Sequence, residues 1–267
     1  MRALDELARG RSGWAVSWSK TGHPWRDVPI TILIVINCIA GKASATDLDN
    51  SLTGYVLAPA GNPYNVVTGA IIDTTAQGSI GIEGQANKSA TWALTNNGTV
   101  IGGYFSVEFD SPVVLVNNGS LISRATTAVA LYSGGNVTNS AGAFIVGRYD
   151  GVFANSASSS VTNAGDIGGS ASDITKTQSG IHLPNGGTVT NLATGKIAAY
   201  GPGVISNSAI TVQNAGLITS LNGTAIDLTV GAAGVGSVVS NSGTITGQGG
   251  TAILFGPADN TLILAGT

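Results

Sequence analysis

The feature that most constrains the fold is a short unit that returns along most of the chain. Its clearest form is Val161 to Ile167, which reads Val-Thr-Asn-Ala-Gly-Asp-Ile, and Val239 to Ile245 is a close copy. The copies are separated by 21, 22, 24, 28, 23 and 27 residues, measured between the anchor asparagines Asn96, Asn117, Asn139, Asn163, Asn191, Asn214 and Asn241. A period in this range is typical of solenoids, propellers and other repeat arrays.

Each copy predicts a strand, a turn and a second strand, because the aliphatic residue and the asparagine are followed by glycine and another branched aliphatic. A further short β-type run, such as Gly151-Val152-Phe153, lies between copies. Helical repeats are excluded, since no window has apolar residues at helical spacing. Propellers of the WD40 type need steps of about 40–45 residues. The sequence therefore predicts an all-β parallel β-helix of about seven to nine coils, because short coils become stable only by stacking.

The repeated asparagines allow a structural and a chemical interpretation. Asparagine tolerates tight bends and bonds to nearby backbone, so a column of them can turn the chain and stack from coil to coil. A column of amides could instead be a binding stripe. The structural interpretation is favoured because a repeated residue at a repeated bend is explained by the bend. Variable steps predict insertions that leave the stack as corner loops, notably at residues 170–179 and 229–237.

The first 45 residues differ from the rest in charge and hydropathy. They hold six of the eleven Lys and Arg residues and an apolar run from Ile30 to Ala40, followed by Ala43-Ser44-Ala45. A basic leader, an apolar core and an Ala-x-Ala site predict a secretory signal cut after Ala45. The alternatives are a buried strand and a start codon placed too far upstream. Cys38, the only cysteine, lies in this run, so disulfides cannot stabilise the mature chain.

Residues 46–93 are expected to form atypical coils that cap the core, and residues 94–267 the regular repeats. Trp92, at the junction, is interpreted as a core or cap residue and not as a ligand platform. The chain closes on the apolar segment Thr261 to Leu264, and we expect the repeat region to be truncated there. A net charge of −3 and the lack of a basic stripe argue against nucleic acid as a partner.

The acidic residues are the main candidates for chemistry. Glu108 and Asp110 are spaced to lie on one side of a strand, and sugar hydrolysis uses two carboxylates. We expect no matching acid in the neighbouring coils and no aromatic sugar platform, so solvated carboxylates are the favoured interpretation of these and the other candidates, Asp150, Asp166, Asp173 and Asp227. His182 is expected to have no Ser-Asp constellation and no metal partners beside it. No catalytic, cofactor or metal residue is therefore predicted.

Three features together resemble the passenger region of bacterial autotransporters, the type V secreted proteins. They are the long basic leader, the unit from Val239 to Gly247 and the closing segment from Asp259 to Leu264. Similar repeats occur in filamentous haemagglutinin-like adhesins. The resemblance covers about residues 1–45 and 94–267 and implies a signal-bearing precursor that is threaded through a C-terminal outer-membrane β-barrel translocator. This chain departs from the family because no barrel-like pattern follows the repeats.

The leading hypothesis is a secreted or surface-exposed passenger-like β-helix, a non-enzymatic scaffold or adhesin without a cofactor. Its expected partners are the β-barrel translocator and a host or cell-surface ligand of unspecified chemistry. One alternative is a secreted β-helical polysaccharide lyase or hydrolase that uses acids near Glu108 and Asp110. Another is an inactive fragment. An enzyme should gather at least two carboxylates and a basic residue in one groove, whereas a scaffold should leave them scattered.

Overall fold

The computed structural model describes residues 44–86, 91–156, 159–168, 178–229 and 236–265. All described elements belong to one compact unit, Lys42–Thr267. They form a parallel β-helix of about eight turns, so the predicted fold class and coil number are confirmed. The predicted signal, including Ala43, lies outside the described residues except for Ser44 and Ala45. Among the described residues, no helix is long and apolar enough to cross a membrane.

Three parallel sheets run along the stack, and each coil from β3 to β26 visits them in the order A, B, C, whereas the first coil passes from β1 in sheet A directly to β2 in sheet C. Sheet A contains β1 (Thr46–Leu48), β3 (Tyr64–Val66), β6 (Trp92–Asn96), β9 (Val113–Asn117), β12 (Gly135–Asn139), β15 (Ser160–Asn163), β18 (Gly187–Asn191), β21 (Ile210–Asn214), β24 (Val238–Asn241) and β27 (Thr261–Leu264). Sheet B contains β4 (Ile71–Asp73), β7 (Thr99–Gly102), β10 (Ser120–Ser123), β13 (Phe144–Val146), β16 (Asp166–Gly168), β19 (Lys196–Ala199), β22 (Leu217–Ser220) and β25 (Thr244–Gly247). Sheet C contains β2 (Tyr55–Val56), β5 (Ile82–Gly84), β8 (Val107–Phe109), β11 (Val129–Leu131), β14 (Asp150–Ala154), β17 (Ser179–His182), β20 (Val204–Ile205), β23 (Ile226–Leu228) and β26 (Ile253–Phe255). Two 3-10 helices, Pro59–Gly61 and Thr75–Gln77, lie in the first coils.

The core is a set of aliphatic columns, because alternate residues of each short strand point inward. In sheet B, the inward position is occupied on successive coils by Val100, Leu121, Ile145, Ile167, Ile197 and Ile218, all of which are fully buried. Stacking these side chains removes them from water on both sides, which a single coil could not do. The sequence pattern of one aliphatic residue per short strand is thus explained by the core.

The first coils use aromatic residues where the later coils use aliphatic ones. Trp92 is buried between Tyr64 and Phe109, with ring centroids 6.4 and 6.5 Å away. Its indole N–H donates to the backbone oxygen of Gln85 at 3.1 Å. Trp92 is therefore a core residue, as its sequence position predicted. The ladder itself begins at Thr46, whose backbone N–H donates to Pro63 O at 2.8 Å.

Candidate functional site

The seven repeat asparagines form one continuous column along sheet A. Each is paired in register with the next, and each side-chain amide N–H donates to the amide oxygen of the following asparagine at 2.7–2.9 Å. Six of the seven are buried, and Asn241 at the last copy is partly exposed. The column consists of Asn96, Asn117, Asn139, Asn163, Asn191, Asn214 and Asn241.

The amide groups of this column also bind the backbone of the corner that follows. The Asn191 side-chain N–H groups donate to Gly195 O at 3.1 Å and Leu217 O at 3.2 Å, in addition to the next asparagine. Asn139 makes the corresponding bonds to Ala143 O and Asp166 O. Gly195 O and Ala143 O also accept the backbone N–H groups of Leu217 and Asp166 in the next coil, so the amides give these carbonyls a second hydrogen bond at the bend. The amides are thus occupied by the protein and are not presented to a ligand.

The glycine after six of the seven asparagines is required by close packing between coils, whereas Gly142, after Asn139, is required by its positive φ of 78°. At Gly216, an added Cβ would lie 2.2 Å from Gly195 O and 2.4 Å from Leu192 O. No side chain fits at that distance, because real Cβ atoms do not approach backbone oxygen so closely. The Asn-x-Gly signature therefore reflects two constraints. The asparagine amide bridges adjacent coils, and the glycine backbone packs directly against the backbone of the adjacent coil.

The outer side of sheet C carries the polar groups that the core does not use. Glu83 and Glu108 are in register on β5 and β8, so their side chains occupy the same outward position on adjacent coils. Asp110 follows β8 on the same side. The expectation that no matching acid occurs in a neighbouring coil is therefore wrong. It failed because Glu83 precedes the first Asn-Gly copy, where the sequence offers no anchor from which to count the register.

These three carboxylates influence one another. Burial, followed by the negative charges of Asp110 and Glu83, raises the pKa of Glu108 above its ordinary value. Glu83 accepts a hydrogen bond from the Gln85 side-chain amide at 3.1 Å. The acids are thus gathered on one patch of the surface and are not simply scattered.

Two exposed tyrosines flank the carboxylates. Tyr104 lies in the corner before β8 and is 47% exposed, whereas Tyr132 follows β11 and is 41% exposed. The Tyr132 backbone N–H donates to Phe109 O at 2.9 Å, which places Tyr132 beside Asp110 on the adjacent coil. Burial raises the pKa of the Tyr132 hydroxyl, with smaller contributions from Glu108, Tyr104 and Asp110. Exposed aromatic rings thus stand beside the carboxylates, although the sequence analysis expected no aromatic sugar platform. We call Glu83, Tyr104, Glu108, Asp110 and Tyr132 the tyrosine–carboxylate face.

A shallow cleft and a ring stack extend this face in both directions. At one end, a cleft of about 370 Å³ is lined by residues that include Val56, Glu83 and Tyr104. At the other end, the Tyr132 ring meets Phe153 with centroids 6.1 Å apart, and Phe153 meets His182 at 5.4 Å. Polar, apolar and aromatic groups thus follow one another along the outside of sheet C.

A second cluster surrounds His182. Asp150 is paired in register with Ser179, whose hydroxyl donates to its carboxylate, and the Thr127 hydroxyl donates to the same group at 3.4 Å. His182 Nδ1 lies 4.0 Å from Asp150 Oδ2. Burial raises the pKa of Asp150, while Ser179, His182 and Thr127 act in the opposite direction. The expectation that His182 has no Ser-Asp constellation beside it is therefore wrong.

This cluster does not have the geometry of a catalytic triad. In a triad, the serine hydroxyl bonds to one imidazole nitrogen and the carboxylate to the other. Here, the Ser179 hydroxyl bonds to the carboxylate, and His182 Nε2 is buried without a hydrogen-bond partner. The serine is thus not activated by the imidazole. Within the described ranges, no group of three or more His, Cys, Asp or Glu residues is arranged to hold a metal ion.

Two of the remaining acidic candidates, Asp166 and Asp227, belong to neither cluster. Asp166 is on sheet B, in register with Lys196, and the Asp227 carboxylate accepts bonds from the Thr229 backbone and hydroxyl at 3.1 and 2.7 Å. Asp173 lies outside the described residues, as do most of the predicted corner loops at 170–179 and 229–237.

No family model matches the chain, and no curated protein or solved structure gives a significant match.

Proposed function

We propose that this chain is an exported, autotransporter-passenger-like β-helix that acts as a rigid, non-enzymatic scaffold of the adhesin type at the cell surface. The observation that carries the proposal is the unbroken amide column, which joins seven successive coils through the interior of one stack. A stack tied in this way resists bending and slipping between coils. Such a rigid stack is suited to presenting a binding surface at a distance from the membrane.

Export is supported by the position at which the ladder starts. β1 begins at Thr46, directly after the predicted cleavage site at Ala45, so cleavage there would leave intact every strand that the structure describes. The segment after that site has no cysteine, and stacked coils need no disulfides to fold. An outer-membrane translocator is the partner that this route requires.

Export can be tested by producing the full chain with a C-terminal epitope tag in a Gram-negative bacterium. We expect the tagged protein in the envelope fractions, with an N-terminus at Thr46 by mass spectrometry. An Ala43→Asp/Ala45→Asp variant should stay uncleaved, because the peptidase requires small residues at these positions. An in-frame fusion to an outer-membrane translocator should be accessible to antibody on intact cells. Uncleaved wild-type chain in the cytosol would refute the export proposal.

A second candidate function is hydrolysis of a polysaccharide, which the three gathered carboxylates favour. Glu108 has a raised pKa, which suits a general acid, and Asp110 and Glu83 stand beside it. Against it, no lysine or arginine of the described residues forms an ion pair with these three carboxylates. Incubating the chain with neutral polysaccharides and measuring new reducing ends would distinguish a hydrolase from a scaffold. A hydrolase must produce new reducing ends, and its Glu108→Gln variant must not.

A further inference from the structure

The tyrosine–carboxylate face is a mixed surface of rings, donors and acceptors. Its two tyrosines present partly exposed rings and hydroxyl groups, and its three acids present carboxylate oxygens. The Gln85 amide stands beside Glu83 and adds N–H donors. Sugar hydroxyls both donate and accept hydrogen bonds, while the C–H face of a sugar ring packs on an aromatic ring. The mixture on this face matches both properties.

The charge of the face selects among sugars. Among the described residues, no lysine or arginine pairs with its three carboxylates, and burial together with mutual repulsion already disfavours the charged form of Glu108. A uronic-acid or sulfated polymer would add negative charge to this surface, which costs free energy at close range. A neutral glycan adds none.

The arrangement along the stack selects an extended ligand. Val56, Glu83, Glu108 and Phe153 occupy the outward position on four coils of one column, and Ala130 fills the same position between the last two. Coils repeat at about 4.8 Å, so these five positions span roughly 20 Å along the axis. That length accommodates several sugar units laid parallel to the helix axis.

We propose that the tyrosine–carboxylate face binds an extended neutral glycan, with Tyr104 and Tyr132 as ring platforms and Glu83, Glu108 and Asp110 as hydroxyl acceptors. This inference rests on the proposed scaffold function and names the ligand class of its surface. A lysine-rich peptide would match the carboxylates by charge, but it has no flat C–H ring face to stack on the two tyrosines and so matches less of this surface.

The test is calorimetric titration of the full chain with cellohexaose, maltohexaose and the hexamer of N-acetylglucosamine. We expect saturable binding of at least one of them, unchanged at high salt, with the oligosaccharide recovered intact. Tyr132→Ala should weaken that binding roughly five- to tenfold, because one stacking ring is removed. Tyr104→Ala should have a similar effect.

Tyr200→Ala is the matched control, since Tyr200 is also an exposed tyrosine, at 42%, in the corner before the sheet C strand β20. It should leave the affinity unchanged, and circular dichroism should show all three variants folded. Failure of every neutral hexamer to bind overturns the inference, as does equal loss in Tyr200→Ala. Salt-sensitive binding of hexalysine in place of the glycans would assign the face to a basic peptide. These outcomes concern only the ligand, because export is measured separately.

Discussion

The inner side of sheet A and the outer side of sheet C are built by the same coils, but they use the repeat in opposite ways. In sheet A, the same residue returns on seven coils and is buried on six of them. In sheet C, the outward column changes from Glu83 and Glu108 to Phe153 and His182. Repetition therefore marks the contacts that hold the stack together, and variation marks the surface available for recognition.

The sharpest test of this contrast is to remove one amide from the middle of the column. Asn163→Ala takes away the acceptor for the Asn139 amide, at 2.9 Å, and the donor to Asn191, at 2.8 Å, and it leaves a cavity in the stack. We expect the free energy of unfolding to fall by about 2–4 kcal/mol, measured by equilibrium denaturation in urea. Thr162→Ala, on the outward side of the same strand, should change it by about 0.5 kcal/mol or less. Equal effects of the two variants would mean that the column is not the main tie between coils.

A smaller but still clear loss is expected at Gly216, the close-packed glycine that follows Asn214. Gly216→Ala would place a Cβ 2.2 Å from Gly195 O, so the two coils must separate locally. Overpacking of this kind should cost about 1–3 kcal/mol in the same urea measurement. Gly223→Ala is the control, because its nearest neighbour is the Ser220 hydroxyl oxygen at 3.6 Å. A loss at Gly223 as large as that at Gly216 would contradict the close-packing explanation.

The asparagine column of sheet A could be predicted from sequence, because the repeated residues themselves set the register between coils. The steps between asparagines vary from 21 to 28 residues, yet Asn163 still pairs with Asn191 across the longest step. The extra residues of that step fall between β16 and β17, so they leave the column unchanged. An insertion at a corner costs little, because it lengthens a loop without breaking a ladder.

The outer side of sheet C could not be predicted from sequence. Residues that are neighbours there lie on different coils, and these coils differ in length. Asp150 and Ser179 are 29 residues apart in sequence and meet because β14 pairs with β17. Glu83 meets Glu108 across coils that precede or begin the regular repeat. Counting from the anchor asparagines does not find the first pair, because Asp150 lies 11 residues after Asn139 whereas Ser179 lies 16 residues after Asn163. The second pair has no anchor asparagine in its first coil.

The smallest expected effect is a pH-dependent change in stability at Glu108, on the outer side of sheet C. Glu108 has a raised pKa, caused first by burial and then by Asp110 and Glu83, so the folded state disfavours its charged form. The stability that this carboxyl contributes is therefore complete below its unfolded value of 4.5 and is lost as the pH rises through its folded value. Glu108→Gln should be slightly more stable than the wild type at neutral pH, and the difference should vanish in acid. Urea midpoints at several pH values measure this, with Asp49→Asn, at an exposed carboxylate of the first coil, as the control. A difference that does not change with pH would show that the three acids on this face do not repel one another.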